Sequence, residues 1–583
     1  MNRTALLTIV GAAALAAGAI AFRGSASPTA VALNQGWTPA QAAFYYHSTQ
    51  GTVLMPTAWL RALRRPDGTP VVAPENLQRL GFMDVHAAVT ATNPHGFPIG
   101  LAVDHVNGVE TTGATCALCH SSELTYRGTE LRVEGGSPNS LDLGTFFEQL
   151  HAAVLAVKKD PQVRDRFMKD ALAYGYPKSR LQPDFDRASA YPDLWLLNTA
   201  GIGGASTLPG PGRIDALTAI GNRLFAYDLQ HPSAAIRGIA PTRFPYMWDI
   251  WRLDWVQYNG SVRQPMARNI GEALGVGVVT NIVNAQGKLN PEPERWRSSI
   301  HIQNLYQIEQ TLATLRPPVW PQSVFGKVDP AQAARGRALF AQTCAKCHGI
   351  SRIEGTTPTE WGVHVIPYQT IATDKFEAAA FAGGRVDVTQ LGINKTLPAA
   401  QGVGYMVSKV KGAAYAAAGI SGATAAKYDG WGRGGDSTAP CGYKARPLVG
   451  VWATPPFLHN GSVPSIYDLL SDKRPSRPIQ GNREYDPVKL GTAQIATAST
   501  MVLDTAKLGN SNAGHWFTND ASRPGRIGPA LSDAQKYDII AYLKVATYAD
   551  YPAISVAKPY PLPCDRNFDW ANGLLPDLRL HAH

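Results

Sequence analysis

The chain has 583 residues, of which 45% are apolar and 17% are charged, and its formal net charge is +10. This length exceeds what one hydrophobic core supports, so it indicates two to four globular domains of ordinary composition. Lysine and arginine are scattered along the chain rather than clustered on one face, which argues against a nucleic-acid-binding protein.

The first 26 residues predict an export signal or an N-terminal membrane anchor. Arg3 supplies a short positive region, residues 5–22 form an apolar run, and the small residues ending at Ala21 suit a cleavage site. The run is long enough for an uncleaved anchor, but its alanines and glycines favour cleavage. No other stretch reaches spanning length. We therefore expect a periplasmic or secreted protein that meets a membrane only if this segment stays attached.

Two copies of Cys-x-x-Cys-His occur, as TCALCH at residues 115–120 and TCAKCH at residues 343–348. Two thiols at this spacing can add to the vinyl groups of one haem, and the adjacent histidine then reaches the iron. A zinc site would need a second ligand pair near each motif, and neither motif has one. We predict two covalently bound c-type haems. Their ligands are Cys116, Cys119 and His120 for the first haem, and Cys344, Cys347 and His348 for the second.

Residues 27–320 form the predicted N-terminal haem domain, which carries the active haem. After the first motif, residues 140–160 predict an amphipathic helix with Phe146 and Leu150 on its apolar face. The aromatic segment 244–260 is typical of a core, but in a two-haem protein an indole between the irons would shorten the electron route. Trp255 is the first candidate for that role and Trp251 the second.

The next segment, VRQPMARNIGEALG, offers Arg268 and Asn269. Either side chain could reach a haem propionate or an oxygen ligand, and ordinary hydrogen bonding is an equally good reading of both. The proline-rich LRPPVWPQ at residues 315–322 then predicts a stiff connector between the two domains.

Residues 321–583 form the predicted C-terminal haem domain. A helix capped by Asp329 leads into the second motif, with Gly336 leaving room for a crossing helix. A second helix, capped by Ser532, closes the domain. The fold class that we predict is mainly α with extensive loops, comprising two cytochrome-c-like haem domains with large insertions.

The sixth coordination position separates electron transfer from chemistry at each iron. For the second haem, His459 is the best candidate, because Pro455 and Pro456 stiffen its approach and Asn460-Gly461 turns the chain after it. Met406 and Met501 are weaker rivals, since most methionines fill cores.

No convincing second ligand is found for the first haem. The histidines that precede the first motif, His47, His86, His95 and His105, lie in less constrained segments. We therefore predict an open, reactive iron at the first site and a closed iron at the second.

Two cysteines lie outside the haem motifs, Cys441 and Cys564. In an oxidising compartment they could form a disulfide that ties the C-terminal tail to a loop. Two unrelated thiols are the alternative.

The paired motifs, the segment KARPLVGVWATPPFLHNGSVPSIYDLL and the closing IGPALSDAQKYDIIAYLK resemble the di-haem cytochrome c peroxidase superfamily. The usual Phe-Trp-Asp-Gly-Arg-type segment after the first motif is missing, and the chain there reads YRGTELRVEGGSPNSLDL, with Glu130 and Glu134. The length, WTPAQAAFYYHSTQGT, GPGRIDAL, DWVQYNGSVRQPMARNIGEALG and GNSNAGHWF resemble instead the branch of rubber oxygenases and di-haem fatty-acid dioxygenases.

This resemblance implies that the N-terminal haem binds dioxygen and attacks an unsaturated hydrocarbon, while the C-terminal haem has a structural or electron-holding role. His120 is then the proximal ligand of the active haem and Trp255 its aromatic neighbour. His348 and His459 hold the second iron. The resemblance does not choose between a fatty acid and a polyisoprenoid as substrate.

The sequence leaves three main functions open, and a haem-based sensor or an inactive relative is a minor alternative. A haem-dependent dioxygenase needs an open iron in an apolar pocket, which the low charge content suits. A peroxidase reducing hydrogen peroxide needs a positioned acid–base group, for which Glu130, Glu134 or a histidine is available but no motif fixes one. A non-catalytic electron-transfer cytochrome needs two six-coordinate irons. We favour the dioxygenase, with dioxygen and an apolar unsaturated compound as partners and an external electron donor as a further one.

Overall fold

The structure is a computed structural model. It describes residues 30–189, 209–231, 234–235, 238–263, 265–284, 286–353, 360–393, 396–430 and 437–555. The predicted signal or anchor, residues 1–26, and Cys564 lie outside the described residues. Within them, none of the helices combines the length and apolarity that a bilayer span requires.

The helices and strands alternate irregularly along the chain. In chain order the α-helices are α1 (Pro39–His47), α2 (Thr57–Ala62), α3 (Pro74–Arg79), α4 (Cys116–Cys119), α5 (Leu143–Lys159), α6 (Pro161–Ala173), α7 (Lys178–Ala188), α8 (Ala216–Gly221), α9 (Pro265–Val276), α10 (Ile302–Leu312), α11 (Gln322–Phe325), α12 (Pro330–Thr343), α13 (Ala345–His348), α14 (Tyr368–Ile371), α15 (Phe376–Gly383), α16 (Ala399–Ala417), α17 (Gly422–Asp429), α18 (Ile466–Leu469) and α19 (Asp533–Val545). The strands are β1 (Val31–Ala32), β2 (Met55–Pro56), β3 (Leu101–Val106), β4 (Val109–Ala114), β5 (Ser121–Tyr126), β6 (Thr129–Glu134), β7 (Arg213–Ile214), β8 (Thr242–Arg243), β9 (Ser351–Ile353), β10 (Glu360–Gly362), β11 (His364–Pro367), β12 (Arg385–Asp387), β13 (Thr396–Pro398), β14 (Gly442–Ala445), β15 (Ile479–Gln480), β16 (Tyr485–Asp486), β17 (Gly491–Thr492), β18 (Met501–Val502), β19 (Trp516–Phe517) and β20 (Arg526–Gly528).

The prediction of a mainly α fold is wrong. The structure is 39% helical and 17% strand, and its strands form many small sheets. Two sheets have three strands, in the orders β1-β6-β5 and β2-β4-β3, and the other described strands pair in twos. The prediction failed because the strands are short. Most of them have two to four residues, so the alternation of apolar and polar side chains is too brief to be recognised beside the helical periodicity of the longer segments.

Two hairpins fix the position of the first Cys-x-x-Cys-His motif. In the β3–β4 hairpin, Asn107 and Gly108 have φ angles of 53° and 73°, and in the β5–β6 hairpin Arg127 and Gly128 have 48° and 80°. Two successive positive φ values are the mark of the type I′ turn, whose twist matches that of the strands. Helix α4 lies directly between β4 and β5, so both hairpins hold the motif.

The capped helices predicted in the C-terminal half are confirmed. The Asp329 side chain caps α12 by accepting from the Ala331 amide, and Ser532 forms a capping box with Gln535 at the start of α19. The predicted close crossing at Gly336 is also confirmed, because a Cβ there would lie 1.8 Å from the Asp538 carbonyl oxygen. Helices α12 and α19 therefore touch through backbone atoms.

We expect Gly336→Ala to lower the free energy of unfolding by about 1–3 kcal/mol, since the added methyl must push apart two packed helices. Urea denaturation followed by far-UV circular dichroism measures this change. Gly412→Ala on the exposed face of α16 is the matched control, because its Cβ would meet no atom within 4 Å and alanine favours a helix. Equal stability losses in the two variants would contradict the close crossing.

The largest buried apolar cluster contains residues from both halves of the chain. Tyr45, Met247 and Trp248 come from the first half, and Phe340 and Trp452 from the second. These side chains pack in one core, so the segments on either side of residue 320 share it. The domain boundary between residues 320 and 321 stays a prediction.

Candidate functional site

The first motif lines a cavity with an empty volume of ≈ 1290 Å³, its open mouth included. Cys116 and Cys119 occupy the two ends of α4, and His120 follows directly. The His120 Nδ1–H donates to the Pro245 carbonyl at 2.7 Å, which leaves Nε2 as the acceptor nitrogen. Burial lowers the pKa of His120 to about 4. A neutral imidazole oriented by a backbone carbonyl is the usual form of a metal-ligating histidine.

The second motif repeats this arrangement in a second cavity, whose empty volume is ≈ 1740 Å³ with its mouth included. Cys344, Cys347 and His348 line it. The His348 Nδ1–H donates to the Arg446 carbonyl at 2.9 Å, and burial lowers the pKa of His348. The structure therefore brings the predicted residues of each motif together with one ring nitrogen left for a metal.

A histidine that the sequence analysis did not select lies opposite His348. The ring centroids of His348 and His515 are 6.2 Å apart, which leaves room for one metal between them because each metal–nitrogen bond is about 2 Å long. Burial, and then the charge of His348, lowers the pKa of His515 to about 3. Its Nδ1 is buried without a hydrogen-bond partner.

The loop that carries His515 is held by an arginine and by an unusual backbone conformation. The Arg474 guanidinium donates to the carbonyls of Asn512, Gly514 and His515 at 2.5–3.0 Å and stacks over Trp516 at 3.8 Å. His515 has a φ of 57°, in the left-handed region that non-glycine residues rarely occupy and that often marks functional positions. The sequence signal was GNSNAGHWF, where a glycine precedes a histidine in a polar loop.

His459, the predicted axial ligand, also lines the second cavity. Its ring stacks on Tyr443, with 4.0 Å between ring centroids and 20° between the ring planes. Burial lowers the pKa of His459 to about 3. Met406 is fully buried in another apolar cluster, and Met501 lies against Gly210. Neither methionine is among the described residues that line the second cavity, and the assignment of His459 stays a prediction.

The first cavity differs from the second in the number of histidines that line it. Among the described residues that line it, His120 is the sole imidazole and there is no methionine. Its wall is mostly apolar, and the apolar side chains include Val53, Leu54, Leu143, Phe147, Ile214 and Ile220. The polar exceptions that lie together are Gln257 and Glu272, joined by a 2.8 Å hydrogen bond from Gln257 Nε2 to Glu272 Oε1. Burial raises the pKa of Glu272.

Four residues line both cavities and form the wall between them: Arg243, Pro245, Gln257 and Tyr258. Burial raises the pKa of Tyr258 to about 12, so its hydroxyl is neutral. Trp255 is buried, with the Arg263 guanidinium 5.2 Å from its ring centroid, and it is not among the described residues that line either cavity. Its role between the irons stays a prediction.

Arg268 and Asn269 are engaged with each other and with an acid. Arg268 Nη2 donates to Asn269 Oδ1 at 2.8 Å and also to the Glu309 carboxylate. Asn269 Nδ2 donates to the same carboxylate at 3.3 Å. All three side chains are buried, so the network is a fixed part of the core next to the first cavity.

The two cavities suit a large group with negative side chains better than a bare metal ion. The Nε atoms of Arg243 and Arg446 are buried without hydrogen-bond partners, and each arginine lines the second cavity. Their other donors reach carbonyl or hydroxyl oxygens. The carboxylates of haem propionates would accept hydrogen bonds from these two guanidinium groups, since buried charges need partners. Within the described residues, no cluster of three or more His, Cys, Asp or Glu side chains suits a metal ion alone.

Comparison with known proteins places part of the chain in a defined class. Residues 442–478, which include Arg446 and His459 of the second cavity, match the RoxA-like, cytochrome c-like family. A cytochrome c-like domain implies covalently bound haem c, and this match indicates a c-type cytochrome of the oxidoreductase class. The match supports the relationship to the rubber oxygenases.

Two proteins of Sinorhizobium fredii (strain NBRC 101917 / NGR234) are similar to the chain. The uncharacterized protein y4iJ is 36% identical over 567 residues, which span 88% of this chain and 92% of y4iJ. The uncharacterized protein y4iM is 27% identical over 319 residues, or 52% of this chain and 64% of y4iM. The chain belongs to the family of y4iJ.

Proposed function

We propose that the chain is an exported, periplasmic or secreted di-haem dioxygenase that binds dioxygen at its N-terminal haem and oxidises an unsaturated apolar substrate. The observation that carries this proposal is the asymmetry of the two cavities. The second cavity has two facing imidazoles, His348 and His515, whereas the described wall of the first has a single imidazole, His120. One site is built to be closed on both faces and the other to stay open.

The residues of the closed site would hold a haem that stores or passes electrons. In this proposal His348 and His515 would hold the iron, Cys344 and Cys347 would attach the haem covalently, and Arg446 would pair with its propionates. Ligation by two imidazoles leaves no position for a substrate.

The residues of the open site would exclude water from the reaction. A haem held at this site would supply binding and activation of dioxygen. His120, whose ring is oriented by its hydrogen bond to the Pro245 carbonyl, would hold this haem. The apolar wall, with Phe147 and Leu143 among its members, would bring an alkene rather than water to the opposite side. Tyr258, in the wall shared by both cavities, is the aromatic side chain placed to help electrons cross.

Incubation with oleate and with polyisoprene under ¹⁸O₂, followed by product mass measurement, tests the proposal. Two labelled oxygen atoms in one product molecule would support dioxygenation and would show which substrate is used. Absence of labelled product from polyisoprene, from oleate and from the uncharged methyl ester of oleate, with both haems present, would count against a dioxygenase.

Peroxide reduction is the second candidate, because a half-buried acid lines the first cavity. Heterolysis of an O–O bond needs an acid–base group beside the iron, and Glu272 is a carboxyl with a raised pKa on that wall. The predicted candidates lie elsewhere: Glu130 is on β6, and Glu134 accepts a hydrogen bond from Tyr46. Neither is among the described residues of the cavity wall.

We expect Glu272→Gln to change the rate of the dioxygen reaction by less than about threefold, since an alkene reaction needs no proton donor there. Loss of an acid–base group in a peroxidase costs about 10²–10⁴-fold. The rates of dioxygen consumption and of peroxide reduction, measured side by side, separate the two functions. Glu134→Gln is the matched control for replacing a buried acid. A selective collapse of peroxide reduction in Glu272→Gln would favour the peroxidase.

A further inference from the structure

An outer cavity lies beside the first cavity, between α9 and α16, with an empty volume of ≈ 780 Å³ including its mouth. Ile220, Gln257 and Glu272 line both cavities, so their side chains form the wall between them. The outer cavity is also lined by Ser408, which is exposed, and by half-buried Lys411. The outer cavity therefore reaches from the surface to the wall of the candidate oxygen site.

Small residues on both helices keep this space open. A Cβ at Gly271 of α9 would lie 3.4 Å from Val407 Cγ2, and one at Gly404 of α16 would lie 2.5 Å from the Ser437 hydroxyl. The remaining wall is mainly apolar, with Leu217, Val262, Ala267, Phe381, Val403 and Val407. A hydrocarbon chain gains free energy on entering such a space because apolar surface leaves water.

The charged groups of the outer cavity are matched within the protein. Arg268 pairs with Glu309, and Lys411 Nζ lies 2.8 Å from Asp429 Oδ1. Glu272 adds a carboxyl at the inner end. Among the described lining residues, a ligand with a carboxylate would meet two cations that already have acidic partners, and the carboxyl of Glu272. The carboxylate would therefore lose its hydration without gaining an unpaired cation as partner.

We infer that the outer cavity binds the unreactive tail of an uncharged, chain-like alkene. The double bond then reaches the first cavity past Ile220, Gln257 and Glu272. The reaction at that double bond rests on the proposed function; the binding of the chain does not. Free fatty-acid anions are the disfavoured ligands, and alcohols, esters and hydrocarbons the favoured ones.

Binding is tested with a fluorescent 18-carbon alcohol that carries a conjugated tetraene, and with its carboxylate counterpart. Both are titrated without dioxygen into the ferric haem-loaded protein, and haem quenching of their fluorescence reports occupancy. The alcohol is expected to bind at least about tenfold more tightly, the factor that 1.4 kcal/mol of unmatched charge burial gives. Equal affinities, or tighter binding of the carboxylate, would overturn the inference.

Val403→Phe adds an aromatic ring to the wall of the outer cavity and is expected to weaken binding of the alcohol about tenfold, because the ring takes up space that the chain would fill. Gln401→Phe, at an exposed position of the same helix, is the matched control and should leave affinity unchanged. Gly271→Ala, which adds one methyl facing Val407, provides a milder second variant should Val403→Phe fail to fold. Unchanged affinity in a folded Val403→Phe, or in Gly271→Ala where that variant replaces it, would also overturn the inference.

The experiments distinguish failure of the tail site from failure of the proposed dioxygenase function. Tight alcohol binding that Val403→Phe weakens, combined with no labelled product under ¹⁸O₂, keeps the tail site and rejects the proposed dioxygenase. Labelled product formed equally by the wild type and Val403→Phe keeps the dioxygenase and rejects the tail site.

Discussion

Replacement of His120 by alanine is expected to abolish dioxygen-dependent turnover, by at least about 10³-fold, as for other groups that the chemistry requires. The imidazole is half-buried, neutral and oriented by the Pro245 carbonyl at 2.7 Å, and the described wall of its cavity offers no second imidazole to replace it. Turnover and the absorption spectra of both haems provide the measurement. The spectrum of the C-terminal haem should stay nearly unchanged.

A histidine outside both cavities gives the control for this experiment. His95 Nε2 lies 2.8 Å from Glu110 at a half-buried position, and His95→Ala should retain both spectra and most of the activity. Equal spectral damage to both haems in His120→Ala would contradict the division of labour between the two sites. Full activity in that variant would remove His120 from the catalytic centre.

Replacement of His515 by alanine is expected to convert the C-terminal haem from low spin to high spin. In the structure the His515 ring, 6.2 Å from that of His348, is positioned to close the second site. Absorption and electron paramagnetic resonance spectra of the ferric protein measure the spin state. Added imidazole should restore the low-spin spectrum, because it can fill the space that the side chain leaves.

His459→Ala is the paired variant, since both histidines line the second cavity. Its ring is stacked on Tyr443 at 4.0 Å, so we expect its loss to leave the C-terminal haem low spin. The opposite outcome, with His459→Ala high spin and His515→Ala low spin, would support the ligand predicted from the sequence and reject the one that the structure favours.

The histidine comparison shows which parts of the site a sequence can reveal. The attachment motifs are local, so six residues could be named from spacing alone. The position of His515, the sixth ligand that we propose, depends on tertiary contacts, because Arg474 binds three carbonyls of its loop. The prolines before His459 predict a stiff backbone, but a stiff backbone does not determine which group the side chain contacts.

Local features of the helices could be predicted better than the positions of individual side chains at the cavities. The caps at Asp329 and Ser532 and the contact at Gly336 follow from short-range rules and are confirmed. Trp255 and Tyr258 are three residues apart in one aromatic segment, and only the tertiary packing places Tyr258 between the cavities. Glu272 was not selected from the sequence, and only the packing of its helix places it on the wall of the first cavity.

Strands were the least predictable elements, because the β3–β4 and β5–β6 hairpins are the longest and most of the other strands have two to four residues. Such strands are defined by partners distant in sequence, as where β1 pairs with β6. No local pattern encodes that pairing.

Arg243 lines both cavities, and its guanidinium is buried. In a medium of low polarity one such charge is felt strongly on either side. It would therefore raise the midpoint potentials of both prosthetic groups together, and an electron arriving at one group would make the other harder to reduce. The two groups would then titrate as one coupled pair, with separated steps even if their intrinsic potentials were equal.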